Sequence, residues 1–546
     1  MNLLGVDESS RGQPARLHAR PGAWLAILLA ATALLHLGHA VVAGHDPYLQ
    51  FRVGDEAYYD AWARQIAGGA PIRPEPFFTT PLFAYWLAIL YRLGLDSLPA
   101  VQVANATLGV GAVAFTWYAA RRLAGPSAAV VASALVAFAR PVLVYEGAAD
   151  KTMLVLCLGA MAFAAAVWAL EAPTWRRWIL AGAAAGLAAL AHALAIVIAP
   201  AVLLHLALNR GFGPAVRAGS VYVAGALLAI APATVHNALA SGEVIPICSN
   251  GGHNLYLGNH AGNLTGLYTS PPFSRATMSE EESSFRREAE RRSGTAPLTA
   301  GAVSSFWTRQ AITEMAAFPG LTVERFLRKL RWSVGQAEIT DTRTYGFYAH
   351  RLPTTRFLLW DFGLPAVLGL AGGVVLLRGR RFVLPLAFLA LYALALGVFF
   401  VYGRYRLPLL VPLAILAGSA VQPIVELVRA RRWAPLAAIA MAGVAAGALV
   451  FRPVLPSVSE SFFADYYNQG NRYLDAGRTD EALAEYEKAI TVKPGDHPAL
   501  AGAAVRLARM YLERGDRTAA VRVLSEAVQV RPQDASLAAA LRILGG

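Results

Sequence analysis

Apolar residues run in blocks of about 20 along most of the first 450 positions, and polar residues gather between the blocks rather than within them. That pattern predicts helices that cross a bilayer, about eleven of them. They fall near residues 23–43, 98–121, 127–145, 151–171, 177–191, 194–208, 217–239, 356–377, 382–401, 406–426 and 433–452. The 177–208 region reads either as two short helices broken near His192 or as one long tilted helix. A further apolar stretch, Pro81 to Leu95, is about 15 residues, short for a span. It carries Tyr85, Trp86 and Tyr91, aromatics that favour the membrane–water interface, so it reads as a helix lying flat.

Composition agrees: 56% of the 546 residues are hydrophobic and only 15% are charged, with a mean hydropathy of +0.44. A soluble globular chain rarely combines those values. The net charge of +13 raises the prospect of nucleic acid as a partner, but the arginines cluster at the ends of apolar blocks, as in Arg121-Arg122, Arg176-Arg177 and Arg378-Gly379-Arg380-Arg381. Charges in those places set topology, so nucleic acid is not expected. If 81–95 lies flat, all these clusters face the cytoplasm; if it spans, all of them flip outward. The expected external segments are therefore 44–97, 146–150, 240–355 and the tail after 453, joined by the turn Tyr402 to Arg406. Met1 to Arg20 is polar and basic and precedes an apolar run without a well-placed cleavage site, which reads as a first span and not a removed signal peptide. The two cysteines, Cys157 in an apolar block and Cys248 in a polar segment, do not suggest a disulfide.

The tail has a different pattern. Tyr466, Gly470, Tyr473, Ala482, Tyr486, Ala489 and Pro494 match the tetratricopeptide repeat in order and spacing. A second copy follows at Tyr511, Ala520, Leu524, Ala527 and Pro532, its start displaced by about one helical turn. The expected fold is therefore all-α: a transmembrane helical bundle over 1–452 with interfacial helices, then a small tetratricopeptide domain over 453–546. Two repeats are fewer than the three usually needed for independent stability, so the tail is expected to dock on the membrane domain or on a protein partner.

Candidate chemistry gathers on the expected external side. Directly after the first span come Asp55 and Glu56 at the head of an amphipathic segment, with Tyr58, Trp62 and Ile66 on one face. Carboxylates beside a membrane surface are costly to desolvate and tend to be either solvated or functional. Asp55 reads as a group held at the membrane mouth or as a helix cap. The turn Tyr145-Glu146-Gly147-Ala148-Ala149-Asp150-Lys151 adds acids and one of few lysines. Asp150 reads either as an ordinary helix-start acid or as a functional one. In Arg404-x-Arg406-Leu-Pro, two arginines sit against the usual charge bias of external turns. Their planar forks suit a phosphate, or lipid head groups at the interface.

Asp55-Glu56 followed by Tyr58, then Thr80-Pro81-Leu82 and the aromatic helix, resembles the first external loop of GT-C-superfamily glycosyltransferases. The closest type is family 39: protein O-mannosyltransferases and lipid A aminoarabinose transferases. The resemblance covers roughly residues 20–430. It implies that Asp55 is the catalytic base or positions the acceptor. By the same resemblance Asp150, with Glu56, belongs to the catalytic acids, and Lys151, Arg404 and Arg406 bind the donor phosphate. The run Asn250 to His260 resembles a motif of family 39-like proteins with tetratricopeptide tails. It makes Asn250, His253, Asn254 and Asn259 candidates for sugar or acceptor contacts, alongside Glu146, although Gly and Asn also simply make turns. Pro319, Lys329 and the Glu338-Ile339 pair also resemble that subgroup, with Glu338 a candidate third acid. One departure stands out: lipid A transferases carry a lysine just before the Pro-containing motif, where this chain has Thr79-Thr80.

The implied activity is transfer of a sugar from a polyprenyl-phosphate donor to a protein, lipid or glycan on the extracytoplasmic face of a bacterial inner membrane. Whether a divalent cation takes part is left open. The chain lacks a Gly-rich phosphate loop and a zinc-spaced His/Cys cluster, so a nucleotide-sugar donor is not expected. The rival classes are a glycolipid transporter or flippase, which would need charges deep within spans, and a non-catalytic scaffold presenting the repeats.

Overall fold

The computed structural model describes residues 21–70, 74–274, 278–339, 341, 344–356, 359–453, 462–492 and 499–545. Met1 to Arg20 and Pro494 lie outside them. All regular structure among the described residues is helical, apart from an isolated bridge between Ala139 and Trp360. Contacts divide the chain into two units: Met1–Ile339 with Leu352–Val454, and Thr340–Arg351 with Leu455–Gly546.

In chain order, the first unit begins with α1 (Pro21–Gly44), α2 (Asp55–Ala67), α3 (Leu82–Arg92), α4 (Leu98–Ala124), α5 (Pro126–Ala137), α6 (Arg140–Glu146) and α7 (Thr152–Glu171). It continues with α8 (Trp175–Ala191), α9 (Ile198–Arg210), α10 (Phe212–Ser241), α11 (Gly251–Asn259), α12 (Met278–Ser293), α13 (Ala300–Ala317) and α14 (Pro319–Val334). The chain then enters the second unit with α15 (Tyr345–Arg351) and returns with α16 (Pro353–Arg356), α17 (Gly363–Leu376), α18 (Val383–Val398), α19 (Gly403–Arg406), α20 (Leu410–Arg429) and α21 (Trp433–Val450).

Among the described residues, eight helical stretches are long and apolar enough to cross a membrane: Gly22–Gly44, Leu98–Ala124, Thr152–Glu171, Ala193–Arg210, Phe212–Ser241, Arg380–Val398, Gly403–Arg429 and Trp433–Val450. The count of about eleven is not reproduced. The stretches expected near 127–145, 177–191 and 356–377 are shorter helices, and the first shows why. Pro141 cannot continue a helix through residue 139, so the chain breaks between α5 and α6. Arg140 N–H then donates to Trp360 O (2.8 Å) and Trp360 N–H to Phe138 O (3.2 Å), so the break leaves these groups satisfied. The apolar exterior suits lipid: Leu239 is 84% exposed and Phe212 82%.

The interfacial reading of 81–95 meets an eleven-residue helix, α3, about 16 Å long and roughly half a bilayer core. It packs on α2 through an aromatic cluster in which Tyr59 stacks on Trp62 (6.2 Å) and meets Phe83 edge-on (5.3 Å). The buried face of α2 is Glu56, Tyr59, Trp62 and Ala63, so Tyr59 rather than Tyr58 is its central aromatic. At His192 the backbone is extended, which divides 177–208 into α8 and α9 joined by a 3-10 turn.

The second unit contains α22 (Phe463–Asp475), α23 (Thr479–Thr491), α24 (Leu500–Glu513), α25 (Arg517–Val530) and α26 (Ala535–Gly545). The small repeat positions are packing positions: Ala482, Tyr486, Ala489 and Ala520 are completely buried, and a Cβ on Gly470 would stand 2.7 Å from the Tyr486 ring. The unit also draws in α15 from the large loop. Phe347 packs edge-on against Phe462 (5.6 Å) and Tyr466 (5.1 Å), and Thr344 N–H reaches the Asp465 carboxylate (3.4 Å). The repeats are therefore completed by a segment more than 100 residues upstream.

Candidate active site

Asp55 opens α2 behind Gly54, whose φ of 51° is one that L side chains rarely adopt. Glu56 turns back to accept from Val53 N–H at 3.1 Å and is buried. It ties down the Val53 amide, one residue ahead of the Gly54 cap. Asp55 projects instead to Arg404, whose Nη2 donates to its Oδ2 at 2.7 Å.

Asp150 and Lys151 form the turn that leads into α7. The turn is held from α4, where Gln102 Nε2 donates to Gly147 O (3.0 Å) and Asn105 Nδ2 to Ala148 O (2.7 Å). Asp150 accepts from Thr152 N–H (2.7 Å), and its other oxygen lies 3.9 Å from Arg404 Nη1. Burial pushes its carboxyl above the usual range, with Arg404 working against that shift. Lys151 is buried. Its Nζ reaches Thr80 Oγ1 (3.2 Å) and Tyr59 OH (3.4 Å) and lies 5.7 Å from the Tyr59 ring centroid. Among the described residues no carboxylate lies within ion-pair distance of it, so this desolvated cation is held by hydroxyls and a ring alone.

The two arginines of α19 divide. Arg404 bridges Asp55 and Asp150 and lies against the rings of Tyr405 (5.0 Å) and Tyr402 (5.8 Å). Arg406 is completely buried. Its Nη2 pairs with Glu338 Oε1 (2.8 Å), its Nη1 donates to Trp332 O (3.0 Å) and Gly335 O, and its plane covers Phe362 (4.3 Å). Protein groups thus take both terminal nitrogens of this guanidinium, while its buried Nε has no partner among the described residues. Glu338, buried and raised by that burial against the pull of Arg406, is the matching half of the clamp. Gly403 is forced here: its N–H donates to Ile339 O (2.9 Å), and a Cβ would collide with the Glu338 carboxylate and the Tyr145 hydroxyl.

The remaining candidates lie elsewhere. Glu146 pairs with His36 in the bundle (2.6 Å), both side chains fully buried. Asn250 precedes α11, and its N–H donates to Phe78 O (3.1 Å). His253 is enclosed by Phe78 (5.2 Å) and Phe285 (4.7 Å), and burial lowers it to about 3. Asn259 donates to Leu255 O and Val398 O, both at 2.8 Å, and accepts from Lys329 Nζ at 2.9 Å. Asn259 thus ties the loop together, His253 is enclosed with both ring nitrogens unpartnered among the described residues, and Asn250 is half-buried. Asn254 is half-buried on the same helix.

Sequence reasoning missed Tyr59, Thr80, His192 and Glu281. His192 lies 4.8 Å from Tyr405, and burial together with Lys151 and Arg404 keeps it neutral. Thr80 stands in the sequence within the Thr80-Pro81-Leu82 motif and where a family lysine is missing, with no sign of a site role, and the structure puts its hydroxyl on Lys151. Among the described residues no three His, Cys, Asp or Glu side chains come together to hold a metal ion.

The family model described as dolichyl-phosphate-mannose-protein mannosyltransferase matches residues 75–237, under a third of the chain. A tetratricopeptide repeat model matches residues 473–544. No curated protein matches. Similar solved structures include the Archaeoglobus fulgidus oligosaccharyltransferase in complex with Zn and sulfate, at 16% identity and TM-score 0.43, covering 83% of this chain and 56% of that one. Another is ArnT from Cupriavidus metallidurans bound to undecaprenyl phosphate, at 16% identity and TM-score 0.36, covering 74% and 78%. The chain thus spans little more than half the length of the oligosaccharyltransferase.

Proposed function

We propose that this multi-pass membrane protein is a glycosyltransferase that moves a sugar from a polyprenyl-phosphate donor to an extracytoplasmic acceptor. The observation that carries the reading is the constellation of Asp55, Asp150, Arg404 and Lys151: two acids sharing one arginine beside a buried lysine that has no carboxylate partner among the described residues. A desolvated ammonium next to a guanidinium is an anion site in waiting. The family match over residues 75–237 supports a lipid-phosphate sugar as that anion's source.

In this reading the donor phosphate enters between Lys151 and Arg404, and Arg404 exchanges Asp55 for phosphate oxygens. The freed Asp55 carboxylate takes the proton of the acceptor hydroxyl as general base. The acceptor oxygen attacks the anomeric carbon, the bond from that carbon to the phosphate oxygen breaks, and the electron pair leaves with the polyprenyl phosphate. Lys151 and Arg404 stabilise the charge that grows there. Asp150 keeps Arg404 oriented while its partners change. Arg406 is reassigned from phosphate ligand to the clamp that holds the Arg404 turn on Glu338. Lipid A transferases carry a lysine just before the Pro-containing motif; here Lys151 brings an ammonium to Thr80 from another element.

The test uses purified protein in nanodiscs with polyprenyl-phosphate sugars extracted from the source membranes. Wild type should release sugar from one of them to an acceptor, and Asp55→Asn should not. Transfer by the variant at near wild-type rate would reduce Asp55 to a partner of Arg404.

A further inference from the structure

We propose that Glu281, held by Tyr268, is the subsite that recognises the sugar carried by the lipid phosphate; the inference rests on the transferase reading above. Glu281 lies on α12, which packs against α2. It sits in an acidic run, Glu280-Glu281-Glu282, that sequence alone reads as a solvated face. The structure separates these three. Glu282 lies 4.0 Å from Arg286 on its own helix, whereas Glu281 Oε2 accepts from Tyr268 OH at 2.6 Å. Ser270 Oγ donates to the Tyr268 hydroxyl at 3.2 Å, which fixes the direction of the relay toward Glu281.

Tyr268 ties this carboxyl to the phosphate side. Its ring packs against Tyr402 (5.8 Å) and Phe400 (5.5 Å), and Tyr402 lies against Arg404. The rim around Arg404 thus combines aromatic faces with a carboxyl group. That is the chemistry that binds a sugar ring: carboxylate oxygens accept from hydroxyls, and rings cover its C–H faces. Burial and the neighbouring Asp55 charge raise Glu281 to about 7, against the Tyr268 hydrogen bond. The group is therefore able to donate as well as accept near neutral pH. Holding a second acid beside Asp55 is unfavourable for folding, and no protein cation pairs with it among the described residues.

The experiment measures binding of bare polyprenyl phosphate and of the same lipid carrying mannose or glucose to full-length protein in nanodiscs. Wild type should bind one glycosylated lipid more tightly than the bare phosphate. Glu281→Ala and Tyr268→Phe should shrink that increment, Glu281→Ala by about tenfold, and leave the bare phosphate affinity unchanged. Glu281→Gln, which keeps shape and one acceptor, should retain part of it. An increment unaltered in both Glu281→Ala and Tyr268→Phe would overturn the assignment. So would an equal loss for bare and glycosylated lipid, which marks a structural role, or a wild type with no increment for either sugar. Failure of wild type to bind even bare polyprenyl phosphate would instead remove the transferase reading, and this subsite with it.

Discussion

Arg404 is the shared counter-ion of Asp55 and Asp150, at 2.7 Å and 3.9 Å, and ties the start of α2, 349 residues away in sequence, to the turn before α7. If a phosphate takes Arg404, it does so in competition with Asp55. Asp55→Asn should therefore lose transfer yet bind polyprenyl phosphate more tightly, by about threefold to tenfold. Equilibrium binding measures this. Unchanged or weaker binding would mean that Arg404 does not exchange partners.

Arg406 and Glu338 are both completely buried. Arg406→Ala strands a buried carboxylate and should destabilise by about 3–5 kcal/mol. Pairing Arg406→Met with Glu338→Gln should recover much of that loss. Thermal unfolding in detergent gives the comparison, and donor binding per folded molecule should stay near wild type in the double variant. A selective loss of donor affinity in a well-folded Arg406 variant would return it to the phosphate site.

The second unit takes α15 from the large loop. A fragment covering 455–546 alone should be less stable than the same fragment with residues 340–351 supplied by a linker. Phe347→Ala in the linked form should cost about 3–5 kcal/mol, since Phe347 is 4% exposed among Phe462 and Tyr466. Circular dichroism melts give the result; equal stability of the two fragments would show that the repeats stand alone.

Much of this was legible in the chain. The apolar blocks located the bundle, the repeat positions located the second unit, and Asp55, Asp150, Lys151 and Arg404 converge as a group. What failed has a common cause: a motif fixes spacing, but burial decides a side chain's work. Arg404 and Arg406 look equivalent two residues apart, yet α19 turns one toward Asp55 and the other into carbonyls at the end of α14. Asn259 carries suitable chemistry, but carbonyls and Lys329 consume it, and His253 is walled in by the rings of Phe78 and Phe285. Glu281 hid in a charge run, because nothing local says which of three glutamates meets a tyrosine.

Glu281 also makes a pH prediction. Its carboxyl is raised from 4.5 to about 7 by burial and Asp55, so the folded state favours the protonated form. That contribution is fully present below about 4.5 and is lost as pH rises through about 7, on the order of 1–3 kcal/mol. The groups facing it are Asp55 from α2 and Tyr268 from the preceding loop, while Glu280 and Glu282 on its own helix point to other sides. Hydrogen exchange of α12 should show greater protection at pH 5 than at pH 8 in wild type, and a smaller difference in Glu281→Gln. Identical pH dependence in both would place the titration elsewhere.

The most direct test of the central claim is the pool of lipid-linked sugars in cells lacking this protein. Deletion should cause one polyprenyl-phosphate sugar to accumulate. Re-expression of wild type should clear it, and Asp55→Asn, present at the same level in the membrane, should not. Clearance by Asp55→Asn as complete as by wild type, or a deletion that leaves every polyprenyl-phosphate sugar at its normal level, would contradict the account.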